Sequence, residues 1–249
     1  MGRFWSLLFL LVPILGVLCF ALAPALGYWL PPDISEHGHR IDHLFMFCLY
    51  LTGAVFIATE VVLFWFMWRY DGRTNRDPVK FSHGSHNLEI VWTIVPAATL
   101  LFIAIYQMDA WADAKIRTPN IPATVEVTGR QFEWRIRHPG PDGELDTEDD
   151  IFGVNELHLP VNEQIVLNLK SMDVLHDFFV PQLRIKQDAV PGNKIPMWFT
   201  ARETGTYEIV CAELCGWGHY KMKGRLTIES REAFDAWLKQ RAAEQKATQ

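Results

Sequence analysis

The sequence predicts a membrane-anchored chain of mixed class, a transmembrane helical hairpin with an extra apolar stretch before it and an all-β domain after it. Two observations carry this. Residues 1–108 hold only 6 of the 23 Lys and Arg and 7 of the 29 Asp and Glu, so charge is concentrated in the rest of the chain. Beyond Met108 the pattern changes to short alternating segments broken by turns, which suggests a Greek-key sandwich or barrel. Composition supports both halves: 49% hydrophobic against 21% charged residues excludes intrinsic disorder. The net charge of −6 argues against a nucleic-acid partner, which would want a basic face.

Three stretches are long and apolar enough to span a bilayer, which takes about 20 residues: Phe4–Leu30, Leu44–Trp68 and Ile90–Met108. The first follows Arg3 and contains Pro13, Pro24 and the small residues of Ala21–Leu22–Ala23. A basic start and an Ala-x-Ala site fit a cleaved signal peptide, whereas Pro24 and the length of the run fit a retained helix. The second and third stretches are joined by Arg69–Glu89, and Arg69, Arg73, Arg76 and Lys80 mark this connection as cytoplasmic. Either fate of the first stretch leaves the C-terminal domain outside. The expected organisation is 1–30 as signal peptide or extra helix, 41–108 as transmembrane hairpin and 109–249 as outer domain.

Two carboxylates stand out in this half. Glu60 lies within the second stretch, where a charge is costly and faces protein or water. It reads first as a protonated group bonded to a neighbouring subunit, ahead of a proton-path or interhelix group. Glu89 sits at the cytoplasmic mouth of the third stretch, ahead of Trp92 and Pro96, and by position alone is an interfacial anion.

In the outer domain, Thr124–Arg137 alternates, with Val125, Val127 and Gly129 on one face and Phe132, Trp134 and Ile136 on the other. A Gly- and Asp-rich excursion, Pro139–Asp150, precedes further strands at Glu156–Pro160, Gln164–Ser171, Val174–Pro181, Ile195–Thr200, Gly205–Cys211 and Arg225–Glu229. Glu232–Gln245 reads as an amphipathic helix presenting Phe234, Trp237 and Leu238. Residues 142–150 include Asp142, Glu144, Asp146, Glu148, Asp149 and Asp150 without the spacing of a calcium loop, and they read as a solvated tip.

The most informative stretch is Cys211–Met222. It places Cys211, Cys215, His219 and Met222 directly after a strand, with His176 in an earlier strand. Thiolate, thioether and imidazole together select copper. A mononuclear blue-copper site needs one Cys; a second thiolate in the same loop could bridge two copper ions. The weak ligands would then be Met222 on one ion and a backbone carbonyl, such as that of Glu213, on the other. A Cys211–Cys215 disulfide and a structural zinc site are the competing readings, and zinc leaves Met222 unexplained.

At these residues the chain resembles subunit II of the haem–copper cytochrome c oxidases. The motif C-x-E-x-C-x-x-x-H-x-x-M runs intact from Cys211 to Met222. Supporting matches are Glu89–Pro96, Gly129–Trp134, His176 followed by Phe179–Val180–Pro181, and Lys186–Gly192. The resemblance implies a cupredoxin domain with a binuclear CuA centre. Its ligands would be His176, Cys211, Cys215, His219 and Met222, with Glu213 binding through its carbonyl. The Glu213 carboxylate would also reach a magnesium ion shared with subunit I, and Glu89 would stand at the entrance of a proton path. The implied activity is that of cytochrome-c oxidase: electrons pass from cytochrome c through copper to the haem of subunit I, where oxygen is reduced to water. Subunit I, subunit III and membrane lipid are the implied neighbours, and the implied location is a bacterial inner membrane with the domain on the periplasmic face. The acidic excess outside fits a basic soluble cytochrome.

One departure matters. Many relatives carry two tryptophans separated by one residue in the Gly129 strand, and the first is held to admit the electron. Here the first is Phe132 and the second Trp134. Electron entry through Phe132 or Trp134 is therefore an open expectation. A membrane-anchored copper carrier or copper-delivery module outside an oxidase is the alternative function; the hairpin with Glu60 and Glu89 argues against a mere anchor.

Overall fold

The computed structural model describes residues 3–76, 78 and 81–248, so Lys80, counted above in the cationic connection, lies outside the described residues. The chain divides into two units, Met1–Leu30 with Asp42–Met108, and Pro31–Ile41 with Asp109–Gln249.

The first unit is helical. Helices α2 (Gly38–Arg69) and α3 (His86–Lys115) contain the second and third apolar stretches, whereas α1 (Arg3–Leu22) stops short of the expected Leu30, because Pro24 disfavours continuing the helix; each of the three has the length and composition to cross a membrane. At 32 residues α2 measures about 48 Å, well beyond a hydrocarbon core of about 30 Å. Both long helices therefore outrun the apolar stretches read from sequence, since polar residues continue a helix once it leaves lipid. Within the spans, Thr52, Thr93 and Thr99 hydroxyls donate to the carbonyls of Cys48, Glu89 and Val95 at 2.8–2.9 Å, so these three hydroxyls are satisfied within their own helices. Gly16 of α1 lies against Phe56 of α2. Among the described residues, the partly buried Glu60 has one carboxylate oxygen, Oε2, without a hydrogen-bond partner.

The second unit is a β-sandwich of two five-stranded sheets. Its strands are β1 (Val125–Arg130), β2 (Glu133–His138), β3 (Ile151–Val154), β4 (Glu156–Pro160), β5 (Gln164–Ser171), β6 (His176–Val180), β7 (Ile185–Ala189), β8 (Ile195–Thr200), β9 (Gly205–Cys211) and β10 (Lys223–Glu229). One sheet has the order β3-β2-β1-β5-β8 and the other β4-β10-β9-β6-β7. The β1–β5 and β4–β10 pairs are parallel and the rest antiparallel. Helix α4 (Arg231–Thr248) follows β10.

Two features differ from the sequence reading. The alternating run Thr124–Arg137 is a hairpin rather than one strand: Arg130 pairs with Glu133 across a turn at Gln131–Phe132. That turn switches the parity of the alternation, so Val127 and Ile136, which a single strand would put on opposite faces, oppose each other on one buried face. Strands β3 and β7 also emerge where no strand was expected. Both are short and carry Gly or charged residues among the apolar ones, so cross-strand pairing rather than local propensity makes them.

Fully buried Val125, Trp134, Leu157, Leu167, Phe178, Ile209 and Leu226 fill the space between the sheets. The segment Pro31–Ile41 joins this unit: Ile34 enters the core and Ser35 bridges Ala201. The end of α3 is held here as well, because the Trp198 indole donates to the Asp113 carbonyl at 2.8 Å and the Lys115 ammonium to Gln187 Oε1 at 2.6 Å.

Candidate metal centre

The loop from the end of β9 to the start of β10 carries four of the five predicted side-chain ligands and the Glu213 carbonyl, and the first residue of β6 supplies the fifth side chain. β6 and β9 pair directly, with Phe178 opposite Cys211, so the sheet itself brings His176 to the loop. The Cys211 N–H donates to the Met222 carbonyl at 3.1 Å and closes the loop at its base. A single 3-10 turn, His219–Lys221, then presents His219 ahead of Met222.

Two glycines make the closure sterically feasible. A Cβ on Gly129 would lie 2.9 Å from the His176 ring, so only glycine leaves that imidazole its place. Gly218 lies under the Phe132 ring, where a Cβ would approach to 2.5 Å.

The donor atoms converge. Cys211 Sγ and Cys215 Sγ are 3.8 Å apart and both thiols are free. This is far beyond the bonded distance of about 2.05 Å, which removes the disulfide reading. His176 Nδ1 stands 3.9 Å from Cys211 Sγ, and His219 Nδ1 stands 3.7 Å from Cys215 Sγ. Met222 Sδ is 3.8 Å from Cys215 Sγ and 1% exposed, and the Glu213 carbonyl oxygen is 3.2 Å from Cys211 Sγ. His176, Cys211 and Cys215 form a buried group with ligand atoms within 4.8 Å of one another.

The set fits soft metal ions. A metal–thiolate bond is about 2.3 Å, so one ion reaches both sulfurs across the 3.8 Å gap, and each sulfur has its own imidazole neighbour. Met222 in the sulfur cluster favours copper over zinc.

Electrostatics prepare the thiols. Burial raises both. At Cys211, hydrogen bonding with His176 and with the backbone of Asp177 and Glu213 outweighs burial and brings the thiol down to about 6. At Cys215, the neighbouring Cys211 adds to burial and pushes the thiol up to about 12. At neutral pH such a pair keeps one proton, which a bound metal displaces.

Asp173, which sequence reasoning missed, completes the arrangement. Its Oδ1 is 2.8 Å from His176 Nε2, and its Oδ2 accepts the Gln131 N–H at 2.8 Å. It thereby fixes the imidazole with Nδ1 aimed at sulfur and pins the β1–β2 turn beside the loop. Gln131 in turn donates from Nε2 to the Cys215 carbonyl at 2.6 Å. The only signal in the sequence was a carboxylate three positions before the histidine, in the turn after β5.

The remaining predicted residues are scattered. Trp134 is 0% exposed, edge-on to His176 at 6.1 Å and to Phe178 at 5.4 Å; a donor in solution does not touch it. Phe132 is half-buried at the surface of the loop. The Glu213 side chain is exposed and, among the described residues, belongs to no group of three or more metal-binding side chains. Glu89 is an exposed acid in the first turn of α3, where the helix dipole favours it, with His86 Nδ1 at 3.9 Å.

Comparison with known proteins accounts for both units. A family model described as "Cytochrome C oxidase subunit II, transmembrane domain" matches residues 23–109, and one described as "Cytochrome C oxidase subunit II, periplasmic domain" matches residues 144–230. The "Alternative cytochrome c oxidase subunit 2" of Bradyrhizobium diazoefficiens is 30% identical over 262 residues, covering 94% of this chain and 91% of the relative. The "Cytochrome c oxidase subunit 2" of Cereibacter sphaeroides is 30% identical over 244 residues, covering 86% of this chain and 80% of the relative. Among solved structures, the periplasmic domain of subunit II of the Bradyrhizobium japonicum cytochrome oxidase aligns at 26% identity with a TM-score of 0.45, covering 51% of this chain and 97% of that one.

Proposed function

The chain belongs to the cytochrome c oxidase subunit II family, and from that premise we propose that it is the electron-entry subunit of a terminal respiratory oxidase. Its outer domain, a cupredoxin-like sandwich, accepts electrons from cytochrome c at a binuclear copper centre. They pass from there to the haem of subunit I, where oxygen is reduced to water. The observation that carries this is the pair of free sulfurs 3.8 Å apart, each with an imidazole nitrogen beside it and one with a thioether.

In this reading Cys211, Cys215, His176 and His219 would hold the copper through their side chains, with Met222 and the Glu213 carbonyl as weaker ligands. When bound, the copper pair supplies a site that takes up and releases one electron. The chain's own contribution is rigidity. Ligands anchored on paired strands, with His176 fixed by Asp173, shift little between oxidation states, and a site that moves little exchanges electrons quickly. The exposed Glu213 carboxylate is free to meet a magnesium ion completed by subunit I. The cationic connection with Arg69, Arg73 and Arg76 supports an inner-membrane location with the sandwich on the periplasmic side; subunit III and lipid are the further neighbours of α1–α3.

Copper content and the spectrum of the purified protein test the assignment. Two coppers with a mixed-valence signal are expected; one copper, or zinc, overturns it and favours a copper-delivery module. Glu89 is proposed at the entrance of a proton path into subunit I. Glu89→Gln is expected to slow oxidase turnover while the copper spectrum stays intact, and unchanged turnover removes Glu89 from the path.

A further inference from the structure

Resting on that reading, we propose that Trp217 is the residue through which the donor's electron enters, and that it docks a donor protein presenting a haem edge ringed by apolar side chains. Trp217 is 81% exposed and stands in the ligand loop itself, midway between Cys215 and His219. Leu214 and Tyr220 of the same loop are 78% and 68% exposed. Three large apolar side chains held in water around a metal loop are costly for a soluble surface, and such patches mark contact sites. Tryptophan dominates the energetics of such contacts because its ring buries much area with little loss of freedom.

The ring is also wired to the centre. Its edge meets Phe132, with centroids 5.2 Å apart and planes at 67°. Phe132 lies directly over Gly216 and Gly218, so ring, phenyl and ligand loop are in continuous contact. A covalent route also runs from the indole through its own backbone and Gly216 to Cys215. Tunnelling favours such bonded routes over gaps. Trp134, fully buried behind His176, offers no surface at which a donor could start. The indole thus takes the place at the surface that Phe132 leaves without an N–H.

The charge pattern selects the donor's chemistry. Residues 213–223 carry one acid, Glu213, and two lysines, Lys221 and Lys223, so the contact itself is close to neutral. The acid excess of the domain steers from a distance; the seat is apolar. One electron leaves the donor's ferrous haem, which becomes ferric, and the copper pair is reduced by that electron. No bond forms or breaks and no proton moves.

The test uses the assembled oxidase with Trp217→Ala and Trp217→Phe. Stopped-flow reduction of copper by reduced cytochrome c is expected to slow by about tenfold or more in Trp217→Ala. Copper content, absorption spectrum and reduction by a small chemical reductant stay as in the unsubstituted protein. Calorimetry on the copper-depleted oxidase gives a second readout: affinity for the cytochrome falls about fivefold or more in Trp217→Ala and is largely restored in Trp217→Phe. Unchanged donor rate and affinity in Trp217→Ala overturn the proposal. So does loss of subunit I or of copper from that variant, which makes the ring a packing group against another subunit. If the unsubstituted protein fails to take up two coppers, the functional reading falls instead; an intact centre with an indifferent Trp217 sinks this inference alone.

Discussion

His176 is 0% exposed and His138 is 1% exposed, and each stands at a strand end, His176 opening β6 and His138 closing β2. At the copper loop both ring nitrogens of His176 are engaged, Nδ1 by Cys211 and Nε2 by Asp173. Beneath α4, neither nitrogen of His138 has a hydrogen-bond partner among the described residues. Phe234 and Trp237 pack against its ring with centroids 5.9 and 5.3 Å away. Burial presses His138 down to about 3, with the neighbouring His158 adding to it. Burial also opposes charge on His176, yet Cys211 and Asp173 outweigh it and hold that imidazole above its ordinary value. Burial alone therefore does not make a ligand. Partners do, and without them a sealed histidine behaves as a neutral aromatic plate.

The comparison can be broken most severely at the sulfurs. Cys215→Ser is expected to abolish the two-copper stoichiometry and its mixed-valence signal while far-UV circular dichroism stays unchanged, because serine fits the volume but bridges copper poorly. Retention of two coppers would mean that Cys215 is packing, like His138. A smaller effect belongs to Asp173. Asp173→Ala leaves His176 Nε2 without its acceptor, and copper affinity measured against a competing chelator should fall about 10–100-fold. Asp173→Asn keeps an acceptor and should recover most of that loss. Equal affinity in Asp173→Ala would place His176 in the same class as His138, held by packing alone.

How far the sequence could tell these two regions apart is instructive. The spacing Cys211, Cys215, His219, Met222 lies within one loop, so the chain order nearly is the geometry, and the ligand cluster was legible before any fold. Strands β4, β5, β8 and β9 were legible for the same local reason, as short segments bounded by turn residues. What escaped depends on contacts between distant segments. Asp173 matters because the β5–β6 turn meets the β1–β2 turn, and Trp217 because Phe132 lies on its loop; no window of sequence contains either pair. His138 gave no sign of burial because its cage is built by α4, roughly a hundred residues on. The Gln131–Phe132 turn escaped because a parity switch in alternation reads equally as one strand with two faces or as a hairpin with one.

The gentlest test of the comparison is at His138 and reads pH. The unfolded chain protonates a histidine near 6.5, whereas the folded chain holds His138 neutral down to about 3. Between those values the unfolded state binds a proton that the folded state refuses, so stability is complete above about 6.5 and is lost as pH falls towards 3. The loss due to this one residue is about 1 kcal/mol by pH 6. Other groups of the domain add their own pH dependence. The informative quantity is therefore a difference between two proteins. His138→Phe keeps a flat ring between Phe234 and Trp237 and removes the protonation site, so its stability should gain on the unsubstituted protein by about that amount from pH 8 to pH 6 in denaturant unfolding. Parallel curves would mean that His138 takes up its proton within the fold, and that the cage under α4 admits charge as readily as the copper loop does.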